Sequence, residues 1–166
     1  MQAVGRRERR RVLDLYGELR AFVNLLRGRR IEYALCGGLA MAVHALPRAT
    51  VDIDVMIQPD SLEDVKAIAR DLGYSKDVGL LQFQGGAVRI HRLAKTMKSP
   101  SFLLVLDLIL VTALFKNVWE HRETFEWENE SICVVSARGL MEMKQVRDSE
   151  QDRADIVLLR SRLDEG

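Results

Sequence analysis

Cysteine is nearly missing from this 166-residue chain: Cys36 and Cys133 stand alone, without C-x-x-C spacing. That excludes a disulfide framework and a cysteine-built zinc site, and two isolated thiols suit a reducing compartment, so a cytoplasmic location is expected. Also missing is any apolar run long enough to cross a bilayer. The most apolar stretch, Phe102 to Phe115, has 14 residues and contains Asp107 and Thr112, whereas a membrane helix needs roughly 20 apolar residues. No apolar segment follows the arginine-rich start (Arg6, Arg7, Arg9, Arg10, Arg11), so neither a signal peptide nor a membrane partner is expected. Charge of one sign is not in excess either, the formal net charge being +1. A globally basic nucleic-acid binder is therefore excluded, and any such contact has to be local, at the N-terminal arginines or at Arg27, Arg29 and Arg30.

What is present is a chain that is 48% apolar and 30% charged, long enough for one domain with a real core. The expected organisation is a single domain over 1–166, with an N-terminal helix in 1–30, an α/β core in 31–135 and C-terminal helices in 136–166. From Arg11 to Leu26 the residues Val12, Leu15, Leu19, Phe22, Val23 and Leu26 recur at helical spacing, and Gly28 ends the helix. A strand follows at 32–36, then Gly37-Gly38, a short helix at 39–46 stopped by Pro47, and a strand at 51–57. Pro59-Asp60-Ser61 opens a helix at 62–72 that Gly73 terminates. Strands at 80–84 and 87–91 flank Gly85-Gly86 as a tight hairpin, a polar segment covers 92–100, and 102–110 reads as a central strand. After an irregular stretch with a short helix come strands at 125–127 and 132–135, a helix capped by Ser136, and a last helix at 150–163. This order predicts an α/β (α+β) fold with a mixed, mostly antiparallel sheet flanked by helices.

Chemistry concentrates in acids. Asp52 and Asp54 alternate with Val51, Ile53, Val55 and Ile57, which puts both carboxylates on one side of a strand with Cα atoms about 7 Å apart. Carboxylates that close raise each other's pKa unless a cation lies between them, and a divalent metal is the simplest remedy. A wet sheet edge would also accommodate them. Asp107 interrupts F-L-L-V-L-D-L-I-L, where an ionised carboxylate needs a cation, a hydrogen bond or an arginine partner. Gly37-Gly38, between a strand and a short helix, either forms a plain turn or lets backbone N–H groups approach a phosphate. His44 reads as a packed histidine, Trp119 and Trp127 as packing residues, and Met141 and Met143 as core filler. His91 and His121 share no ligand spacing, so zinc is rejected.

Cys36-Gly37-Gly38, then 13 residues, then Asp52-Ile53-Asp54, with Asp107 on a later strand, resembles the signature of the DNA polymerase beta-like nucleotidyltransferase superfamily. Arg48 to Asp54, R-A-T-V-D-I-D, is similar to the bacterial group related to AbiEii-type toxins, as is Lys144 followed by Asp152 and Asp155 on a C-terminal helix. The resemblance implies the nucleotidyltransferase fold and a magnesium- or manganese-dependent transfer of a nucleoside monophosphate from an NTP to a hydroxyl. It further implies that Asp52, Asp54 and Asp107 are catalytic metal ligands, with Asp107 alternatively the general base. Gly37, Gly38, Arg48, Thr50 and Lys144 would bind the nucleotide, Lys144 at the triphosphate. The implied acceptor is tRNA or another RNA end, and a toxin role would bring a cognate antitoxin. One departure stands out: Asp148-Ser149 occupies a region where relatives often carry Gly-Arg. A nucleotide-binding or interaction module without turnover is the alternative.

Overall fold

The computed structural model describes residues 14–98, 101–127 and 129–166. The N-terminal arginines 6–11 and the expected first residues of the opening helix lie outside them. Helix α1 (Leu15–Gly28) starts at Asp14, whose carboxylate accepts the Gly17 N–H at 2.8 Å, and it buries the periodic face Leu15, Leu19, Phe22, Val23 and Leu26. Arg27, Arg29 and Arg30 are exposed, a solvated end of the helix. Gly28 closes α1, while the left-handed turn after it falls on Arg30.

Seven strands form one sheet in the order β3-β4-β5-β2-β1-β7-β6. They are β1 (Ala34–Cys36), β2 (Ile53–Ile57), β3 (Lys76–Phe83), β4 (Val88–Lys98), β5 (Ser101–Leu110), β6 (Glu123–Trp127) and β7 (Glu130–Val134). β2 pairs with β5, and β1 with β7, in parallel; the other four pairings are antiparallel. The mixed, mostly antiparallel sheet flanked by helices is as expected, and the apolar β5 lies inside it with Leu104, Leu106 and Leu108 wholly buried. The sequence reading fails on 92–100, where β4 runs on to Lys98. Its charged residues are interspersed irregularly among Leu93, Ala94 and Met97 along a paired strand, and Lys95 reaches Glu18 at 2.6 Å and the Leu72 carbonyl at 3.1 Å. The start of β2 is another difference: Val51 and Asp52 both precede the strand, and Val51 is 66% exposed, so only Asp54 of the two acids lies in β2.

The remaining helices are α2 (Gly37–Val43), α3 (Leu62–Asp71), α4 (Lys116–Glu120), α5 (Ala137–Arg147) and α6 (Glu150–Asp164). α1 and α3 cover one sheet face; Lys95 of β4 lies 4.9 Å from the Tyr74 ring, and Tyr74 donates to Glu18 at 3.2 Å. α5 stands over the other face. Ser136 caps α5 by accepting the Gly139 N–H, and Ser149 and Asp152 form a reciprocal capping box on α6. Between them Asp148 adopts the left-handed conformation (φ 55°), which aspartate tolerates better than most residues. Asp148-Ser149 is thus the corner between two helices, with Asp148 held by Arg153 at 2.9 Å.

Candidate active site

The register of the sheet builds the site. Cys36 of β1 is opposite Asp54 of β2, Asp54 is opposite Asp107 of β5, and Asp107 is opposite Arg92 of β4. One row therefore runs thiol, carboxylate, carboxylate, guanidinium across four strands. Two residues along, the same sheet face carries Met56, Ile109, Ile90 and Leu81 in a second, apolar row.

Asp107 is buried and clamped in a fork by Arg92, at 2.8 Å from Nε and 2.9 Å from Nη2. The arginine-paired reading of Asp107 is thus realised together with its approach to Asp54. Asp54 has no ion-pair partner among the described residues. Burial, then the neighbouring Asp107 and Asp52 charges, raise its carboxyl to about 7. Asp52 is raised as well, by burial and by Asp107. Among the described residues no three His, Cys, Asp or Glu side chains stand gathered closely enough to hold a metal ion as they are. The chemistry of the set nonetheless fits a hard cation: Asp52 and Asp54 offer oxygen donors that repel one another, while Asp107 already shares its charge with Arg92.

The glycine pair has a steric role. Gly37 has φ +66°, and a Cβ there would collide with the Asp54 carboxylate; a Cβ on Gly38 would meet Thr50 at 2.7 Å. The two glycines let Asp54 and Thr50 lie directly over the start of α2. Arg48 does not face the cavity: its Nε bonds Asp155 at 2.9 Å.

Lys144 lines the cavity and is paired within the protein. It is only 4% exposed, and its ammonium lies 2.8 Å from Asp155 and 3.9 Å from Asp152. Asp155 thus ties α6 to α5 through Lys144 and to the segment before β2 through Arg48. Arg147 grips Asp152 in a fork at 2.6 and 2.7 Å. Burial would raise Asp152, but the hydrogen bonds from Arg147 and Ser149 outweigh it and bring it down to about 2. The sequence alone does not single out Arg92 or Arg147. The signal for Arg92 was its place in strand register with Asp107, which required extending β4 through a segment read as polar.

These groups open into a cavity of about 460 Å³, lined at one end by Asp54, Asp107, Arg92, Lys144, Arg147 and Asp152. His44 lies away from it, its Nε2 2.8 Å from the Val135 carbonyl and its ring edge-on to Phe125, the packed histidine expected. Trp119 is buried under Arg122, and Trp127 packs against Tyr16. Cys36 and Cys133 are unbridged, and among the described residues no helix is long and apolar enough to cross a membrane.

Solved structures of similar shape decide the fold. A lincosamide antibiotic adenylyltransferase, LnuA, bound to lincomycin, superposes with a TM-score of 0.61 at 18% identity, over 87% of this chain and 96% of that one. The chain has the nucleotidyltransferase fold. A second nucleotidyltransferase-fold structure, ANT(2")-Ia in complex with adenylyl-2"-tobramycin, gives a TM-score of 0.61 at 11% identity, over 87% of each chain. A Thermotoga maritima protein provisionally described as a nucleotidyltransferase gives 0.58 at 16% identity, over 89% of this chain and 91% of that one. No family model matches the sequence, and no match to a curated protein is found.

Proposed function

We propose that the protein is a metal-dependent nucleotidyltransferase that uses an NTP to modify a hydroxyl. The observation that carries this reading is Asp54: a carboxylate with no ion-pair partner among the described residues, raised to about 7, in register with a second carboxylate at the head of a cavity. Its occurrence in a nucleotidyltransferase fold adds support. A magnesium or manganese ion held by Asp52 and Asp54, with Asp107 beside them, would supply the charge compensation that the triphosphate requires. Gly37 and Gly38 leave the entry to α2 open to the phosphates, with Thr50 above Gly38. The acceptor oxygen bonds the α-phosphorus as the bond to pyrophosphate breaks, and pyrophosphate departs with the electron pair. The hydroxyl proton passes to Asp107, which Arg92 orients, and then to water. Arg147, mostly exposed and lining the cavity, is better placed than Lys144 to meet the leaving charge.

A tRNA or other RNA acceptor, an AbiEii-like toxin role and a cognate antitoxin rest on the R-A-T-V-D-I-D and Lys144 resemblances alone. A second reading, a nucleotide-binding module without turnover, is favoured by one observation: Arg92 already occupies both oxygens of Asp107. Binding of labelled ATP, CTP, GTP and UTP with and without magnesium, followed by transfer assays, separates the two. Metal-dependent binding with transfer that Asp52→Ala abolishes is the expected result. Full activity of Asp52→Ala rejects the mechanism, and binding without transfer to any acceptor class favours the second reading.

A further inference from the structure

The cavity has two unlike halves. At one end lie the paired charges; the rest is walled by Leu81 and Phe83 of β3, Val88 and Ile90 of β4, Phe115, and Met143 of α5. Strand register makes this wall continuous, because Leu81 is opposite Ile90 and Phe83 opposite Val88, and Ile90 is in turn opposite Ile109. Its outer part is not packed away: Phe83 is 52% exposed and Leu81, Val88 and Ile90 are half-buried. Apolar surface left beside a cluster of convergent polar groups is the usual make-up of a small-molecule pocket, and about 460 Å³ falls within the range of roughly 300–1,000 Å³ such pockets span.

We infer that the acceptor is a small hydroxyl-bearing molecule with an apolar body, seated between the β3–β4 hairpin and α5, and not an RNA. The role given to its hydroxyl rests on the transferase reading above; the apolar seat does not. Two further observations point the same way. In-line displacement places the attacking and leaving oxygens on opposite sides of the phosphorus. The sheet order puts Cys36 of β1, with Gly37 directly after it, and Asp54 of β2 at one side of Asp107, and the apolar wall on β4 and β3 at the other. A triphosphate on the first side leaves the second for the acceptor. The second observation is charge: among the described residues the β3–β4 wall of the cavity brings no lysine or arginine besides Arg92, which Asp107 already compensates, whereas an RNA backbone is held by several such cations.

The test uses the full chain and octyl glucoside, a sugar hydroxyl cluster on an alkyl tail, titrated calorimetrically below its micelle threshold. Saturable binding is expected, weakened at least tenfold by Ile90→Asp and by Phe83→Asp, while the rise in Tm produced by magnesium and NTP is kept. Ile90→Thr, a milder change, serves if the charged variant at that position does not fold. Absence of saturable binding, or binding indifferent to these substitutions, overturns the inference. Magnesium-dependent labelling of total RNA that survives the wall substitutions unchanged also overturns it, and leaves the transferase reading standing. Wall-dependent probe binding with no response to magnesium and NTP supports the apolar seat and removes the transferase reading instead.

Discussion

Asp54 is a carboxyl without an ion-pair partner among the described residues, beside two other carboxylates. Its folded-state pKa of about 7 lies well above the ordinary carboxyl value, so between about pH 4 and pH 7 the folded chain holds a proton that the unfolded chain releases. The stability tied to that proton is fully present below the unfolded pKa and is lost as pH rises through 7. Asp54→Asn removes the loss. Its Tm should match the parent below about pH 4 and exceed it by a margin that widens to several degrees at pH 8, while nucleotidyl transfer disappears; thermal melts from about pH 4 to 8 check the sign, and an advantage that shrinks toward pH 8 would contradict it. Arg92 supplies a second residue-scale case. Arg92→Met leaves the buried Asp107 carboxylate without its fork, at an expected cost of about 1–2 kcal/mol in urea unfolding, a range kept low because the Arg92 side chain is 38% exposed.

At the scale of elements, α5 and α6 are joined by buried charge. Asp155 accepts from Lys144, Arg48 and Gln151, so Asp155→Ala strands the buried Lys144 ammonium and is expected to cost about 3–5 kcal/mol. Ser149→Ala removes only a capping hydroxyl of α6 and should cost about 1 kcal/mol; equal losses for the two variants in denaturant unfolding would show that the network contributes no more than the cap. The entry to α2 is sterically determined. Gly37→Ala places a Cβ on the Asp54 carboxylate at a positive φ, so transfer is expected to fall at least a hundredfold even in a variant that remains folded by circular dichroism.

At the scale of the whole molecule, the sheet sets acids from two parallel strands side by side and then closes them under α5. Magnesium that relieves their repulsion must displace the Asp54 proton below pH 7. The rise in Tm on adding magnesium is therefore expected to be larger at pH 8 than at pH 6, and chelator should reverse it; a shift independent of pH would remove Asp54 from the cation site.

Much of this was legible without coordinates. The strand around Asp54, the apolar run around Asp107, the Ser136 cap and the helical face of α1 are local patterns, and local patterns survive in one dimension. The extent of β4 was not legible, because a strand carrying Arg92, Lys95 and Lys98 has no apolar periodicity to betray it; its charges are stabilised by partners from α1 and β5 that lie far away in sequence. The same holds for Lys144. A lysine on a C-terminal helix reads as free to reach a ligand until Asp155, one helix later, is seen folded back against it. The sequence by itself determined which groups carry charge and which strands are buried, since both follow from side-chain chemistry and spacing. Only the tertiary structure decided which charges remain available, because pairing depends on register between strands and on the turn at Asp148 that brings α6 onto α5.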